Sequence, residues 1–160
     1  MNVDTLGMTT IIYFMLIYGL SNLAIFGVLS MVSNATGKER MDDFDGFYST
    51  NPRLSLIMLI ALFSLAGIPP VAGFFGKFFL FTAAASSGFY VLVLIAVLNA
   101  TLSLYYYLLV VKAMFINKSE SPIPPLVSTM YEKISFSACL GGVIIIGFVS
   151  SVYDYIRSVM

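Results

Sequence analysis

The sequence contains no histidine, no tryptophan and a single cysteine, and only 10% of its 160 residues are charged. Histidine is the commonest transition-metal ligand and the most frequent general base, so its absence removes both of these uses. The lone cysteine, Cys139, cannot form a disulfide within the chain, and one thiol does not make a metal site. The sequence also lacks a Gly-rich phosphate loop and a dinucleotide-binding fingerprint. We therefore expect this chain to bind no cofactor, no metal ion and no redox centre.

Apolar side chains are abundant and make up 59% of the residues. A soluble domain carries about 25% charged residues, so this balance indicates an integral membrane protein whose partner is the lipid bilayer. The net charge is zero and no long basic run occurs, so no nucleic-acid partner is expected. The N-terminal residues lack the basic stretch of a signal peptide, and we expect the first apolar segment to be a retained membrane helix.

Four apolar segments predict an all-α fold, a polytopic bundle of transmembrane helices that forms a single membrane domain over residues 1–160. About 20 apolar residues cross the hydrocarbon core of a bilayer. The predicted segments are residues 8–33, 54–86, 89–114 and 134–155. The second is too long for one straight span, and we expect it to be discontinuous, with an interruption at residues 67–73. Only a short turn joins it to the third segment, so these two should be antiparallel neighbours.

Basic residues are concentrated in the two polar linkers, residues 34–53 and 116–133, and at their borders. These residues are Lys38, Arg40, Arg53, Lys112, Lys118 and Lys133. The opposite side of the predicted bundle offers only Arg157, near the C-terminus. Because loops on the cytoplasmic side carry an excess of lysine and arginine, we expect both linkers to be cytoplasmic and both termini to lie outside.

The interruption contains Gly67, Pro69, Pro70 and Gly73, and Gly76 follows it. Proline lacks a backbone donor and clashes with the preceding helical turn, so two in succession predict an unwound segment. Non-helical backbone at membrane depth must be buried in protein or line a hydrated cavity. Discontinuous helices of this kind form ion sites in transporters. The alternative is an ordinary proline kink that packs against a neighbouring helix.

A lysine, Lys77, lies about one helical turn beyond the interruption and is surrounded by phenylalanines. A charged side chain in a membrane segment is costly and usually functional. Burial disfavours the charged form of an amine, so one interpretation is a buried group that accepts and releases a proton. The alternative is that the long side chain extends to the membrane surface and serves as an anchor.

Polar side chains on the first and third segments are candidates to continue a proton path from Lys77. The residues predicted for this path are Tyr18, Asn22, Asn99, Ser103, Tyr106 and Lys112. Asn99, Ser103 and Tyr106 are spaced i, i+4 and i+7, so they share one helix face. These groups hold a chain of water molecules, or they form hydrogen bonds between helices that serve only packing. Lys112, at the end of its segment, is either a relay or a topology anchor.

The stretch GIPPVAGFFGKF, residues 67–78, is followed by VLNATLSLYYYLLVVKAMF, residues 97–115. Together they resemble the antiporter-like membrane subunits of proton-pumping NADH:quinone oxidoreductase, respiratory complex I. The pattern GIPP-x-AGF-x-x-K is similar to the N-type, or subunit 2 type. The M-type has a glutamate where Lys77 lies, and the L-type usually has a tryptophan in this segment. The stretches YGLSNLAIFGVLS and GFYSTNPRLSL also resemble the N-type.

The resemblance covers nearly the whole chain but only the last four helices of the family's architecture, which has two inverted repeats. It implies that the chain is the C-terminal part of a larger antiporter-like subunit, and that Lys77 is the proton-carrying lysine of a broken helix. It also implies that NADH, flavin, iron–sulfur clusters and quinone are bound by partner subunits, and that other membrane subunits of complex I are the partners. The expected location is a bacterial or organellar inner membrane.

Two further hypotheses remain open at this point. The first is a subunit of a related cation/proton antiporter or of a membrane-bound hydrogenase, since these share the broken helix and differ only in motif details. The second is a small four-helix membrane protein with a structural or assembly role. Neighbouring genes for NADH dehydrogenase subunits would favour complex I, whereas an open reading frame limited to these 160 residues would favour the small protein.

Overall fold

The computed structural model describes residues 3–148 and residue 158. Within that part of the chain every regular element is a helix, which confirms the predicted all-α class. The elements are α1 (Val3–Thr36), a 3₁₀ turn (Met41–Phe44), α2 (Phe47–Thr50), α3 (Pro52–Ala66), α4 (Ala72–Ser86), α5 (Tyr90–Phe115) and α6 (Met130–Phe148). The predicted end of the fourth segment at residue 155, together with Arg157, lies outside the described residues.

Among the described residues, three helices are long and apolar enough to cross a membrane. They cover Gly7–Thr36, Tyr90–Phe115 and Met130–Gly147. Helices α3 and α4 have 15 residues each, which corresponds to about 22 Å at 1.5 Å per residue. Because the hydrocarbon core is about 30 Å thick, neither of these two helices spans it alone. The predicted second segment therefore needs both α3 and α4 to cross the bilayer.

Helix α1 lies at the centre of the bundle and packs against α3, α4 and α6. Its small residues Ala24, Val28 and Val32 are fully buried. Gly27 allows α6 to approach α1 closely, because a Cβ at this position would lie 2.7 Å from Phe136 of α6. Close packing of small residues is the usual basis of helix association in membranes, where lipid competes for apolar surface. Both α3 and α4 therefore pack against one central helix.

The two linkers meet at one end of the bundle. The Gly46 N–H donates to the Ala113 carbonyl at 3.0 Å, and the Asn117 side chain donates to Asp45 at 2.8 Å. The Lys38 ammonium donates to the Ser121 carbonyl at 3.1 Å. Both linkers therefore lie on the same side of the bundle, which is the arrangement that the predicted topology requires.

A buried asparagine, Asn51, holds the second linker against the start of α3. Its amide nitrogen donates to the Pro124 carbonyl at 3.1 Å, and its oxygen accepts from the Leu126 N–H at 2.7 Å. Ile123, in the second linker, is fully buried. Because a buried backbone N–H needs a partner, these bonds allow the irregular second linker to pack against the bundle.

Candidate functional site

The chain leaves helical geometry between α3 and α4, at residues 67–71, which we call the break. Gly67 has φ +81°, the left-handed conformation that glycine adopts without steric cost. The N–H groups of Gly67 and Ile68 both donate to the Phe63 carbonyl, at 2.9 and 3.0 Å. This pattern is typical of a glycine-terminated helix. Pro69 and Pro70 follow and are exposed.

The interruption was predicted at residues 67–73, but Gly73 lies within α4, as does Gly76. A Cβ at Gly73 would overlap the Ser64 carbonyl oxygen, so only glycine allows α4 to lie this close to the backbone of α3. A Cβ at Gly76 would lie 3.3 Å from Phe14 and Ile17 of α1. These two glycines serve close helix packing, whereas Gly67 serves the change of backbone direction.

Lys77 reaches back from α4 to the end of α3. Its ammonium donates to the Leu65 carbonyl at 2.7 Å and to the Ala66 carbonyl at 3.0 Å. The last carbonyls of a helix have no partner within the helix, and they form the negative end of the helix dipole. Lys77 therefore supplies donors for a helix end that the break leaves open. Its side chain extends toward the break and not along α4 toward Ser86.

A cavity of about 380 Å³ lies beside Lys77, between α1, α3, α4 and α5. Its polar lining residues are Tyr18, Ser64, Lys77, Asn99, Ser103 and Tyr107. A water molecule occupies about 30 Å³ in the liquid, so the space accommodates several waters. No group of three histidine, cysteine, aspartate or glutamate side chains that could hold a metal occurs in the described residues. The cavity therefore offers hydroxyl and amide groups around one amine.

Three of the residues predicted to extend a proton path line this cavity, namely Tyr18, Asn99 and Ser103. The structure does not bring Tyr106 there, because its side chain is 65% exposed. Tyr107, the next residue, lines the cavity instead. The i, i+4, i+7 spacing selected Tyr106, whereas Tyr107 at position i+8 continues the same helix face four residues beyond Ser103.

Asn22 and Lys112 lie elsewhere. The Asn22 amide donates to the Tyr18 carbonyl of its own helix at 2.8 Å, and Asn22 does not line the cavity. Lys112 is exposed in the last turn of α5, at the linker end of the bundle. Favourable interaction of a cation with the C-terminal end of a helix accounts for that position.

A buried pair of hydroxyls was not predicted from the sequence. The oxygens of Ser21 in α1 and Ser64 in α3 lie 2.8 Å apart, and both side chains are buried. Ser64 also lines the cavity beside Lys77. No periodicity within one segment could have shown this pair, because it joins two helices that are distant in sequence.

Comparison with known proteins gives close relatives. The chain is 49% identical over 148 residues to the NADH-quinone oxidoreductase subunit N of Phocaeicola vulgatus, a match that covers 92% of this chain and 31% of the relative. It is 50% identical over 155 residues to the subunit of the same name from Azobacteroides pseudotrichonymphae, with 96% and 32% covered. The chain thus spans about a third of the length of these relatives.

Among solved structures, one chain of respiratory complex I from Thermus thermophilus, determined with bound aureothin, superposes with a TM-score of 0.78 at 30% identity. The superposition covers 91% of this chain and 34% of that one. A family model described as NADH:quinone oxidoreductase/Mrp antiporter, transmembrane, matches residues 1–103. This chain therefore belongs to the NADH:quinone oxidoreductase/Mrp antiporter family of transmembrane proteins.

Proposed function

We propose that this chain is part of a proton-translocating membrane subunit of an NADH:quinone oxidoreductase, and that Lys77 carries the proton through a half-channel at the break. The observation that carries the proposal is the position of the Lys77 ammonium, which binds the open end of α3 beside a cavity that is lined in part by polar side chains. The names of the relatives support the choice of complex.

The hydrogen bonds of Lys77 suggest which proton moves. An ammonium has three N–H donors, and the carbonyls of Leu65 and Ala66 occupy two of them. The third is the proton that exchanges with water in the cavity. After that proton leaves, the neutral amine still holds both carbonyls, and its lone pair is free to take the next proton. The break therefore fixes the position of the amine through both halves of the cycle.

The path to Lys77 runs through the cavity lining. Tyr18, Asn99 and Ser103 remain in it, and we add Tyr107 and Ser64. Hydroxyl and amide groups both donate and accept hydrogen bonds, so they can order a chain of waters. Asn22, Tyr106 and Lys112 do not line this cavity, so they belong to the path only if it extends beyond the cavity.

The chemistry that drives transport takes place in partner subunits, which bind NADH, flavin, iron–sulfur clusters and quinone. This chain supplies the lysine, the cavity with its hydroxyl and amide groups and the carbonyls at the break, and it contacts other membrane subunits of the same complex. The complex lies in a bacterial or organellar inner membrane, with both linkers on the cytoplasmic side or its organellar equivalent. The subunit therefore acts as part of an enzyme without containing a redox centre.

A second candidate is a subunit of a cation/proton antiporter, because the matching family includes Mrp antiporters. The two candidates differ in the source of energy. The first requires proton transport driven by NADH oxidation, and the second requires exchange of protons for metal cations without any electron donor.

The proposal is tested with Lys77→Ala and Lys77→Arg in the assembled complex. NADH-driven acidification of inverted membrane vesicles should fall strongly in Lys77→Ala, because the proton-carrying amine is lost. It should also fall in Lys77→Arg, because arginine keeps its charge and its proton in proteins. Lys118→Arg, at an exposed lysine of the second linker, is the matched control and should pump normally.

Native gels should show that every variant assembles, so that a loss of pumping reports on transport. Normal pumping by Lys77→Arg would mean that a fixed cation suffices and would refute the carrier role. Cation-dependent proton exchange by the wild-type protein in vesicles that receive no NADH would favour the antiporter candidate instead.

A further inference from the structure

A second and larger cavity, of about 610 Å³, lies at the linker end of the bundle between the starts of α3 and α6. We call it the linker groove. Its lining residues lie within residues 50–57 and 126–140. None of them lines the cavity beside Lys77, so the two cavities are separate sites.

Two cations line the linker groove, and no acidic residue does. Neither Arg53 nor Lys133 forms an ion pair with another residue in the described part of the chain. The nearest acid in sequence, Glu132, has another role, because its carboxylate accepts from the Thr129 N–H at 2.6 Å. The Thr129 hydroxyl in turn accepts from the Glu132 N–H at 3.3 Å, so the two residues form a capping box at the start of α6.

Apolar residues continue the groove along the two helices, away from the linkers. Ile57 follows Arg53 by one turn of α3, and Leu140 lies two turns beyond Lys133 on α6. Phe136, on α6, is buried. The polar rim includes hydroxyls from Thr50, Ser128 and Ser137. The groove therefore changes from cationic to apolar along the direction of the helix axes.

Exposed residues beside the groove match the surface region of a bilayer. Tyr131 and Met130, in the first turn of α6, are 86% and 76% exposed. Tyrosine is enriched where membrane proteins cross the boundary between lipid head groups and hydrocarbon. The same turn of α6 leads to Lys133, so the cationic rim lies close to that boundary.

We propose that the linker groove binds an anionic phospholipid. Arg53 and Lys133 bind the phosphate, the hydroxyls at the rim bind the polar head group, and an acyl chain packs against Ile57, Phe136 and Leu140. Two cations without an ion-pair partner among the described residues, next to an apolar wall, are complementary to such a molecule. Basic pockets between transmembrane helices bind lipid head groups by the same combination.

The test uses the protein purified from its native membrane in mild detergent, together with any subunits that remain attached. Photoactivatable phosphatidylglycerol, which is anionic, is compared with photoactivatable phosphatidylcholine, which is neutral overall, and crosslinked peptides are mapped by mass spectrometry. Phosphatidylglycerol should label residues 50–57 and 126–140 in preference to phosphatidylcholine. Arg53→Gln and Lys133→Gln should each lower that labelling about fivefold, because one surface cation contributes about 1 kcal/mol to binding an anionic lipid.

The double variant should lower the labelling about twenty-five-fold if the two contributions add. Lys118→Gln, which removes an exposed lysine outside the groove, is the matched control and should label like the wild type. Equal labelling by the two lipids, or labelling that the double variant does not change, would overturn the proposal. Absence of lipid crosslinks in these segments would do the same, since it would mean that protein fills the groove. None of these readouts depends on proton transport by Lys77.

Discussion

At the break, two backbone carbonyls are bound by a lysine, whereas at the linker end the backbone of residues 124–126 is bound by an asparagine. Both side chains provide hydrogen-bond partners for backbone groups that would otherwise lack them. Asn51 is 5% exposed and is neutral, and its amide donates and accepts at once. Lys77 is half-buried, can only donate when charged, and lies beside a cavity.

The difference between these two regions separates a structural role, that of Asn51, from the role in proton transport that we propose for Lys77. A neutral amide satisfies buried backbone without any cost of burying charge. A lysine at a membrane helix break incurs that cost, and Lys77 lies beside a cavity large enough for several waters. An ionisable side chain lies where a neutral amide would be enough to bind the backbone carbonyls. This feature calls for a functional explanation.

The largest effect is expected from Gly73→Ala. A Cβ there would overlap the Ser64 carbonyl, so α3 and α4 must separate, at a cost of about 3 kcal/mol or more. Gly19→Ala, where a Cβ would meet nothing within 4 Å, should leave stability unchanged or slightly higher. Unfolding of the purified variants in a denaturing detergent series measures both. Equal stability of Gly73→Ala and wild type would show that the two helices are not in close contact.

Asn51→Ala should come next, with a loss of about 1–3 kcal/mol, because the Leu126 N–H and the Pro124 carbonyl lose their partner. Limited proteolysis should show faster cleavage in residues 116–129. Asn34→Ala is the control, since Asn34 is exposed and its hydrogen bond is long, at 3.4 Å. Unchanged cleavage in Asn51→Ala would mean that the second linker is held by other contacts.

Ser21→Ala should cost about 1 kcal/mol, because it removes the buried hydrogen bond between the Ser21 and Ser64 hydroxyls. Thr101→Ala removes an exposed hydroxyl that bonds only within α5 and should have little effect. The same unfolding series compares them. A Ser21→Ala variant as stable as Thr101→Ala would place this pair outside the interactions that hold α1 to α3.

The smallest effect concerns two adjacent tyrosines. Tyr107→Phe should slow NADH-driven proton transport severalfold, because the cavity beside Lys77 loses a hydroxyl. Tyr106→Phe should leave transport unchanged, because Tyr106 is exposed away from that cavity. Vesicle acidification measures both variants, with assembly verified on native gels. A greater loss of proton transport in Tyr106→Phe than in Tyr107→Phe would support the path predicted from the i+7 spacing.

The fold class and the approximate helix positions followed from the lengths of the apolar runs, because a membrane helix must satisfy its own backbone. The observed helix ends differ from the predicted ends by a few residues where local hydrogen bonds determine the end of the helix. Helix α6 begins at Met130, four residues before the predicted segment, because Thr129 and Glu132 cap it at a polar position. Hydropathy cannot detect a start of this kind.

Parts of the candidate site were predictable for a different reason. Pro69, Pro70 and Lys77 stand out within one segment, since each violates the pattern of its surroundings. The contacts of Ser21 with Ser64, and of Asn51 with the second linker, connect distant parts of the chain and leave no local pattern. Gly73 was assigned to the break because of its neighbours, whereas its role is to let α4 approach Ser64.

The hydrogen bonds between Lys77 and the end of α3 have a mechanical consequence. Hydrogen bonds from a charged donor are about twice as strong as those from a neutral one, so α3 and α4 are tied more firmly when the amine is protonated than when it is not. Thermodynamic linkage is reciprocal. Any movement that pulls the Leu65 and Ala66 carbonyls away from α4 must therefore change how tightly Lys77 holds its proton. Displacement of α3 relative to α4 and the proton affinity of Lys77 are therefore coupled.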